Sequence, residues 1–342
     1  MPEANDLSAW DFSLSDDRIA RYPLPQRDAS RLMCLPLAGN ATSHHAFRDL
    51  PQLLRQGDLL VANDTRVMNS RLILRRPTGG RVELLVLSRE DGKVHALAKP
   101  ARRLRTGGTL ERDGRAVFTI AREAVDGVVV LTPHCDVDAL LVEHGAVPLP
   151  PYLGRAEEPA DRVRYQTVYA GPSGAAAAPT AGLHFTDEVL EKLSQTGIGW
   201  ATVTLHVGLG TFRPLREEDL ASATLHQERY SVPADTVEAI RETRSRGGRV
   251  IAVGTTTVRT LEAAAGGGGL PQAGSGDTDL FLRPPRALGT VDGLITNFHL
   301  PKSSLLMLVS CLCGRERLLS AYAEAHDKGY RFFSYGDSML LI

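Results

Sequence analysis

Four apolar runs in this chain each break into a cluster of polar residues: "LLVANDTR" (59–66), "VTLHVG" (203–208), "VIAVGTTT" (250–257) and "GLITNFH" (293–299). The runs at 59–66 and 250–257 read as buried strands that run into loops, and "GLITN" is again strand-like. By contrast, "WATVTLHVG" (200–208) alternates, with Ala201, Val203, Leu205 and Val207 facing one way and Thr202, Thr204 and His206 the other. Helix signals lie between them. Thr186 is an N-cap residue with Asp187 and Glu188 in the turn beyond it, and Gly197 stops that helix. Asp235 caps a second helix, which Gly247-Gly248 ends; "TTTVRTLEAAA" (255–265) opens a third. Pro301 and the serines after it start a fourth, through "LLMLVSCLCG". "YRFFSYGD" (330–337) reads as a closing strand. This alternation, from Tyr165 onward, predicts a layered α/β domain with a mainly parallel sheet.

The segment from 70 to 151 has another texture. "RLILRR", "GRVELLVLSRE", "KVHALAKP", "GRAVFTIARE" and "GVVVLTP" are short β-branched runs set off by Gly-Gly, Asp-Gly and Pro. Such spacing suits a small β-barrel. A chain of 342 residues is long enough for two domains. The predicted division is a discontinuous α/β catalytic domain, 1–69 and 152–342, interrupted by an inserted β-barrel over 70–151.

In open α/β sheets, ligands bind beyond the carboxyl ends of the strands. The segments expected there are "NDTR" (63–66), "HVGLGTF" (206–212), "GTTT" (254–257), "NFHLP" (297–301) and "YGD" (335–337). They hold most of the unusual polar residues. In "GTTTVR", three threonines stand where the amides of a helix start are free, which suits a carboxylate or phosphate, with Arg259 one turn on; simple capping needs only one hydroxyl. "HVGLGTFRP" has G-x-G but no third Gly, a weak dinucleotide signal. His206 lies on the polar side of its strand. In "LHQERY" an extended chain sets His226 and Glu228 on one side, as a proton-transfer pair or a surface pair.

Composition narrows the partners. The 39 basic and 40 acidic residues nearly cancel, so nucleic acid would be held by a local basic face. The basic runs at 75–81, 99–105 and 241–249 are the candidates. The acidic start lacks the apolar core of a secretory signal, and no run reaches the roughly 18 apolar residues of a membrane span. A cytoplasmic protein with no membrane partner is expected. Cys34, Cys135, Cys311 and Cys313 include one C-x-C with no second pair, which points to reduced thiols. No H-x-x-x-H occurs, so no metal is expected.

Taken together, "LLVANDTRV", "YQTVYA", "AAPTAGLHF", "VTLHVGLGTF", "VIAVGTTTVRTLE", "TDLFL", "TNFHLPKSSLLMLVS" and "YRFFSYGDSML" closely resemble the S-adenosylmethionine:tRNA ribosyltransferase-isomerase family of queuosine biosynthesis. The resemblance runs from "DFSLSDDRIARYPLPQRDASRL" to the last residues. It implies the same architecture, an α/β layered domain interrupted by a β-barrel. It also implies that S-adenosylmethionine donates its ribosyl group to 7-aminomethyl-7-deazaguanine (preQ1) at the tRNA wobble position. Epoxyqueuosine forms; adenine and methionine leave. S-adenosylmethionine is then a consumed substrate, with no cofactor, and tRNA is the partner of a monomeric enzyme.

That chemistry asks for a base to take a C5′ hydrogen beside the sulfonium and an acid to protonate departing adenine. His184, His206, His226, Glu228 and His299 are the candidate catalytic groups, with base and acid unassigned. The "GTTTVR" start, Thr255, Thr256 and Thr257 with Arg259, suits the methionine carboxylate. Asp64, Arg66 and Asp337 suit ribose hydroxyls or the amino group. Tyr165, Phe185 and Phe212 are candidate stacking faces for the splayed base, and Thr180 a hydroxyl contact. Thr65, Thr211 and Asn297 complete the substrate-binding set. Two other readings compete: an S-adenosylmethionine-dependent RNA methyltransferase, for which the Gly-rich first turn is missing, and an RNA-binding scaffold, for which net charge −1 and 6% aromatics are poor credentials.

Overall fold

Each of these apolar runs forms a strand in the computed structural model, which describes residues 6–39, 41–125, 127–208, 215 and 217–342. The chain divides into two compact units: Met1–Arg66 with Pro150–Arg155 and Arg164–Ile342, and Val67–Leu149 with Ala156–Val163.

The larger unit is built on one sheet with strands β1 (Arg31–Leu35), β2 (Ser43–Ala46), β3 (Leu59–Asn63), β4 (Gly199–Leu205), β5 (Thr224–Val232), β6 (Val250–Val253), β7 (Gly274–Leu280), β8 (Gly293–Asn297) and β9 (Ser338–Leu341). Among the described residues their order is β7-β5-β4-β3-β6-β8-β9-β1-β2. The centre, β4-β3-β6-β8, is parallel, as is β9-β1. The pairings β4-β5, β5-β7, β8-β9 and β1-β2 are antiparallel. The expected mainly parallel sheet is therefore its central part, and the sheet as a whole is mixed.

Alternate residues of the central strands enter two separate cores. Leu59, Val61, Val250, Ala252 and Leu294 face one; Leu60, Ala62, Ile251, Val253 and Ile295 face the other. The helices divide accordingly. α2 (Ala234–Ser245), α3 (Thr255–Ala265), α4 (Ser304–Cys313) and α5 (Arg315–Asp327) pack on the first face. α1 (Asp187–Gln195) packs on the second through Val189 and Leu193. A strand buried on both faces has no room for polar side chains, so polar chemistry concentrates at the strand ends. At the amino ends of β3 and β6, Arg249 forks onto Asp58, with Nε to Oδ1 at 3.0 Å and Nη2 to Oδ2 at 2.6 Å. This two-point contact fixes the stagger of the two strands.

Local signals explain the helix starts. Thr186 caps α1 by accepting from Val189 N–H, and Ser303 caps α4 by accepting from Leu306 N–H. α2 differs from expectation: its N-cap is Pro233 without a side-chain cap, and Asp235 lies within the first turn. The closing strand also differs. It spans Ser338–Leu341, after "YGD" rather than through it.

The smaller unit is a closed antiparallel barrel in the order Val128–Pro133, Lys93–Lys99, Arg81–Glu90, Arg71–Arg75, Thr109–Arg112, Arg115–Val125. Leu72, Leu74, Val82, Leu84, Val86 and Phe118 fill it. Among the described residues no helix is long and apolar enough to cross a membrane.

Candidate active site

The carboxyl ends of β3, β4, β6 and β8 open onto one edge of the sheet. β9 runs antiparallel to β8, with Ser338 opposite Asn297, so "YGD" reaches the same edge from the amino end of its strand. A cleft open to solvent, with about 720 Å³ of atom-free space, lies along this edge. Of the residues singled out in the sequence, Thr180, Thr255, Thr256, Asn297 and His299 line it.

The start of α3 forms one wall. Gly254 takes a φ of 92°, in the left-handed region that favours glycine, and donates its N–H to Ile295 O at 2.8 Å. No side chain caps the amides that follow, so they carry the partial positive charge of a helix start into the cleft. Behind them, fully buried Asn63 makes four bonds. Its Oδ1 accepts from Thr65 N–H (3.1 Å) and Leu205 N–H (3.0 Å); its Nδ2 donates to Leu205 O (3.0 Å) and Thr256 Oγ1 (3.2 Å). Thr256 Oγ1 is thereby an acceptor inward, which leaves its hydrogen for the cleft. Thr257 points away, fully buried, with its hydroxyl bonded to Val253 O at 2.8 Å.

The end of β8 forms the other wall. Asn297 is buried; its Nδ2 contacts Phe333 O at 3.0 Å and His184 Nε2 at 3.2 Å. His184 Nδ1 lies 2.7 Å from Ser30 Oγ, and its ring stacks on Phe47 with centroids 5.1 Å apart. Burial pushes the His184 pKa down to about 3. His299 Nε2 is 2.8 Å from Thr296 Oγ1, and burial lowers its pKa to about 3 as well. Both rings are neutral at pH 7.

His206 follows β4. Its Nδ1 is 2.8 Å from the hydroxyl of buried Thr65. Burial lowers its pKa, with the charge of Arg229 adding to the shift. Asp64 beside it accepts from Thr204 Oγ1 at 2.7 Å. Arg66 is exposed and donates to the Gly171 and Ala170 carbonyls.

Other candidates stand elsewhere or are closed off. His226 is exposed, whereas Glu228 is buried against Arg259 Nη1 and the Gly208 N–H, 2.8 Å away. The pair expected on one side is not formed: a register shift between Thr224 and Glu228 breaks the alternation of β5. Arg259 does not line the cleft; its Nη1 meets Glu228, its Nε the Leu280 carbonyl, and its buried Nη2 has no partner among the described residues. Asp337 is buried, each oxygen holding a backbone amide, Arg31 N–H at 2.9 Å and Arg331 N–H at 2.8 Å. The Phe185 ring is fully buried, 4.9 Å from Phe47 and 5.4 Å from Trp200 between centroids. Tyr165 is buried edge-on against Tyr335. Neither ring offers a face for a base, because core side chains occupy it. A Cβ at Gly182 would stand 2.0 Å from Tyr169 Oη, so this turn of "APTAGLHF" accepts only glycine. Thr211 and Phe212 lie outside the described residues.

Sequence reasoning missed Ser30, Thr296 and Ser334. Ser30 stands in "RDASRL", inside the stretch that carries the resemblance but with no local oddity. Ser334 lines the cleft and shares a hydrogen bond with Tyr152.

The model of the family described as "Queuosine biosynthesis protein" matches residues 7–341. The chain is 49% identical to the S-adenosylmethionine:tRNA ribosyltransferase-isomerase of Trichlorobacter lovleyi, covering 98% of this chain and 99% of that one. It is 50% identical to the protein of the same name from Synechococcus sp., over 99% of this chain and 96% of that one. In structure it is similar to the S-adenosylmethionine tRNA ribosyltransferase of Thermotoga maritima, with a TM-score of 0.57, 37% identity, and coverage of 98% of this chain and 100% of the other.

Proposed function

The chain belongs to the queuosine biosynthesis protein family, and we infer that it acts as an S-adenosylmethionine:tRNA ribosyltransferase-isomerase. The ribosyl group of S-adenosylmethionine passes to the aminomethyl nitrogen of preQ1 at the tRNA wobble position. It isomerises to the epoxide-bearing ring of epoxyqueuosine, and adenine and methionine are released. The near-full-length identity of about one residue in two to enzymes of that name carries this reading.

Within it, the cleft at the carboxyl edge takes S-adenosylmethionine. The uncapped start of α3 and the Thr256 hydroxyl bind the methionine carboxylate, since free helix amides favour an anion. His206 and His299 are assigned to proton transfer. His206 is neutral near pH 7 and leaves Nε2 without a partner among the described residues, which suits it to accept a proton. His299 lines the cleft, and because burial disfavours its charged form it is placed there as a neutral ring with an N–H to donate. Replacing either by Ala is expected to lower kcat by about 100-fold or more; a variant with kcat intact removes that residue from the chemistry. S-adenosylmethionine is a consumed substrate here, and no further cofactor takes part. Action as a monomer, in the cytoplasm where tRNA is modified, belongs to the same reading.

Label transfer tests the function. With S-adenosylmethionine labelled in the ribose and tRNA bearing preQ1, label is expected in the tRNA, whereas a label in the methyl group stays out of it. Methyl label in the tRNA is the methyltransferase result and overturns the reading.

A further inference from the structure

We propose that Asn297 Oδ1 accepts a hydrogen bond from the α-ammonium group of S-adenosylmethionine, and that His184, backed by Ser30, locks the Asn297 amide in the orientation this requires. The proposal rests on the reading that the cleft holds S-adenosylmethionine.

A backbone carbonyl sets the direction of every bond in the chain. Phe333 O can only accept, and it lies 3.0 Å from the Asn297 amide nitrogen. The reversed amide would press two acceptors together, so Nδ2 faces Phe333. Its second hydrogen reaches His184 Nε2 at 3.2 Å, which makes Nε2 the lone-pair nitrogen. The ring proton then sits on Nδ1 and is donated to Ser30 Oγ at 2.7 Å. Ser30 in turn donates to the Arg27 carbonyl at 3.2 Å. Backbone carbonyls terminate both ends, so no member of the chain is free to turn over or to shuttle a proton. The ring is buried and stacked on Phe47, and burial keeps it neutral down to about pH 3. His184 is therefore a positioning residue.

What this leaves is Asn297 Oδ1. Asn297 is 2% exposed and lines the cleft, yet Oδ1 has no partner among the described residues. A buried acceptor left unpaired costs about 1–3 kcal/mol, a cost that a ligand donor offsets. The adjoining strand end has the complementary chemistry. β6 and β8 pair in parallel with Val253 opposite Ile295, so the α3 start and Asn297 stand on neighbouring strand ends, whose backbones lie roughly 5 Å apart. An anion-binding wall beside a lone acceptor fits a carboxylate and an ammonium carried on one carbon. Within S-adenosylmethionine only the amino-acid end has that pair; adenine has an amino group without the neighbouring anion.

The test pairs deletion of the ligand group with deletion of the residue. Wild type and Asn297→Ala are assayed with S-adenosylmethionine and with its analogue lacking the α-amino group. In the wild type, kcat/KM is expected to fall on the order of 10- to 100-fold for the analogue. Asn297→Ala should use the two about equally, with the KM for tRNA unchanged. Full discrimination retained in the variant, or none in the wild type, overturns the proposal. Should Asn297→Ala fail to fold, the wild type alone decides. Methionine should compete with S-adenosylmethionine better than 4-methylthiobutyrate does, and equal inhibition overturns the assignment. For His184, the Gln variant keeps a donor and an acceptor and should retain both discrimination and the pH profile of kcat, whereas His184→Leu should lose discrimination. Loss of a pH limb in His184→Gln makes His184 a proton carrier and overturns its positioning role. A wild type that releases no adenine would instead count against the functional reading itself.

Discussion

At the scale of single residues, two buried histidines make the folded state sensitive to acid. His184 and His299 ordinarily titrate near 6.5, and burial lowers both to about 3. Between those values the unfolded chain binds the protons and the folded chain does not. The stabilisation from the neutral buried rings is therefore complete above pH 6.5 and is lost as the pH falls, with a slope of up to about 1.4 kcal/mol per pH unit for each. Thermal melts from pH 7 to 4 should show a falling Tm, and the fall should be shallower in His184→Gln. Equal slopes in the two proteins would speak against a neutral buried His184. None of this is legible in "AGLHF", since the sequence shows a histidine among turn residues but not the Asn297, Ser30 and Phe47 that surround it. Phe185 carries the same lesson. Beside His184 it reads as a candidate stacking face, but Phe47, Tyr169 and Trp200 enclose it.

Among the elements, the buried ion pair between Glu228 of β5 and Arg259 of α3 is the most consequential contact. Removing one partner strands a charge in the interior, so Arg259→Ala is expected to cost about 3–5 kcal/mol. Chemical denaturation measures it; a loss below about 1 kcal/mol would mean that water reaches Glu228 in the folded protein. This pair also marks where sequence reasoning stops. Strict alternation along β5 puts His226 and Glu228 on one side, but one irregularity in register sends Glu228 inward and leaves His226 outside. The irregularity lies in the pairing of β5 with β7, residues 274–280, and nothing local to "LHQERY" records it. Apolar runs are different, because their burial on both faces is written in their own composition. The strands at 59–63, 250–253 and 293–297 are readable for that reason, while the helix after "GTTT" is read from its start signal and the barrel from short β-branched runs set off by turn residues. The convergence of "NDTR", "GTTT" and "NFHLP" on one edge then follows from parallel pairing.

For the molecule as a whole, charge near zero means that tRNA must be held by particular basic residues. The run at 241–249 is largely engaged inside the chain: Arg241 with Glu238, Arg246 with Glu242, Arg249 with Asp58. In the barrel, Arg102 and Arg103 are exposed and make no ion pair among the described residues. Arg102→Glu with Arg103→Glu is expected to weaken tRNA binding and to reduce its salt dependence by about one unit of slope for each phosphate no longer held. An unchanged slope would place the phosphates elsewhere. A product balance for the purified protein with S-adenosylmethionine and preQ1-bearing tRNA decides which reaction it runs. Adenine and methionine should be released in equal amounts, each matching the tRNA modified; formation of S-adenosylhomocysteine, or modified tRNA without free adenine, would overturn ribosyl transfer as the reaction.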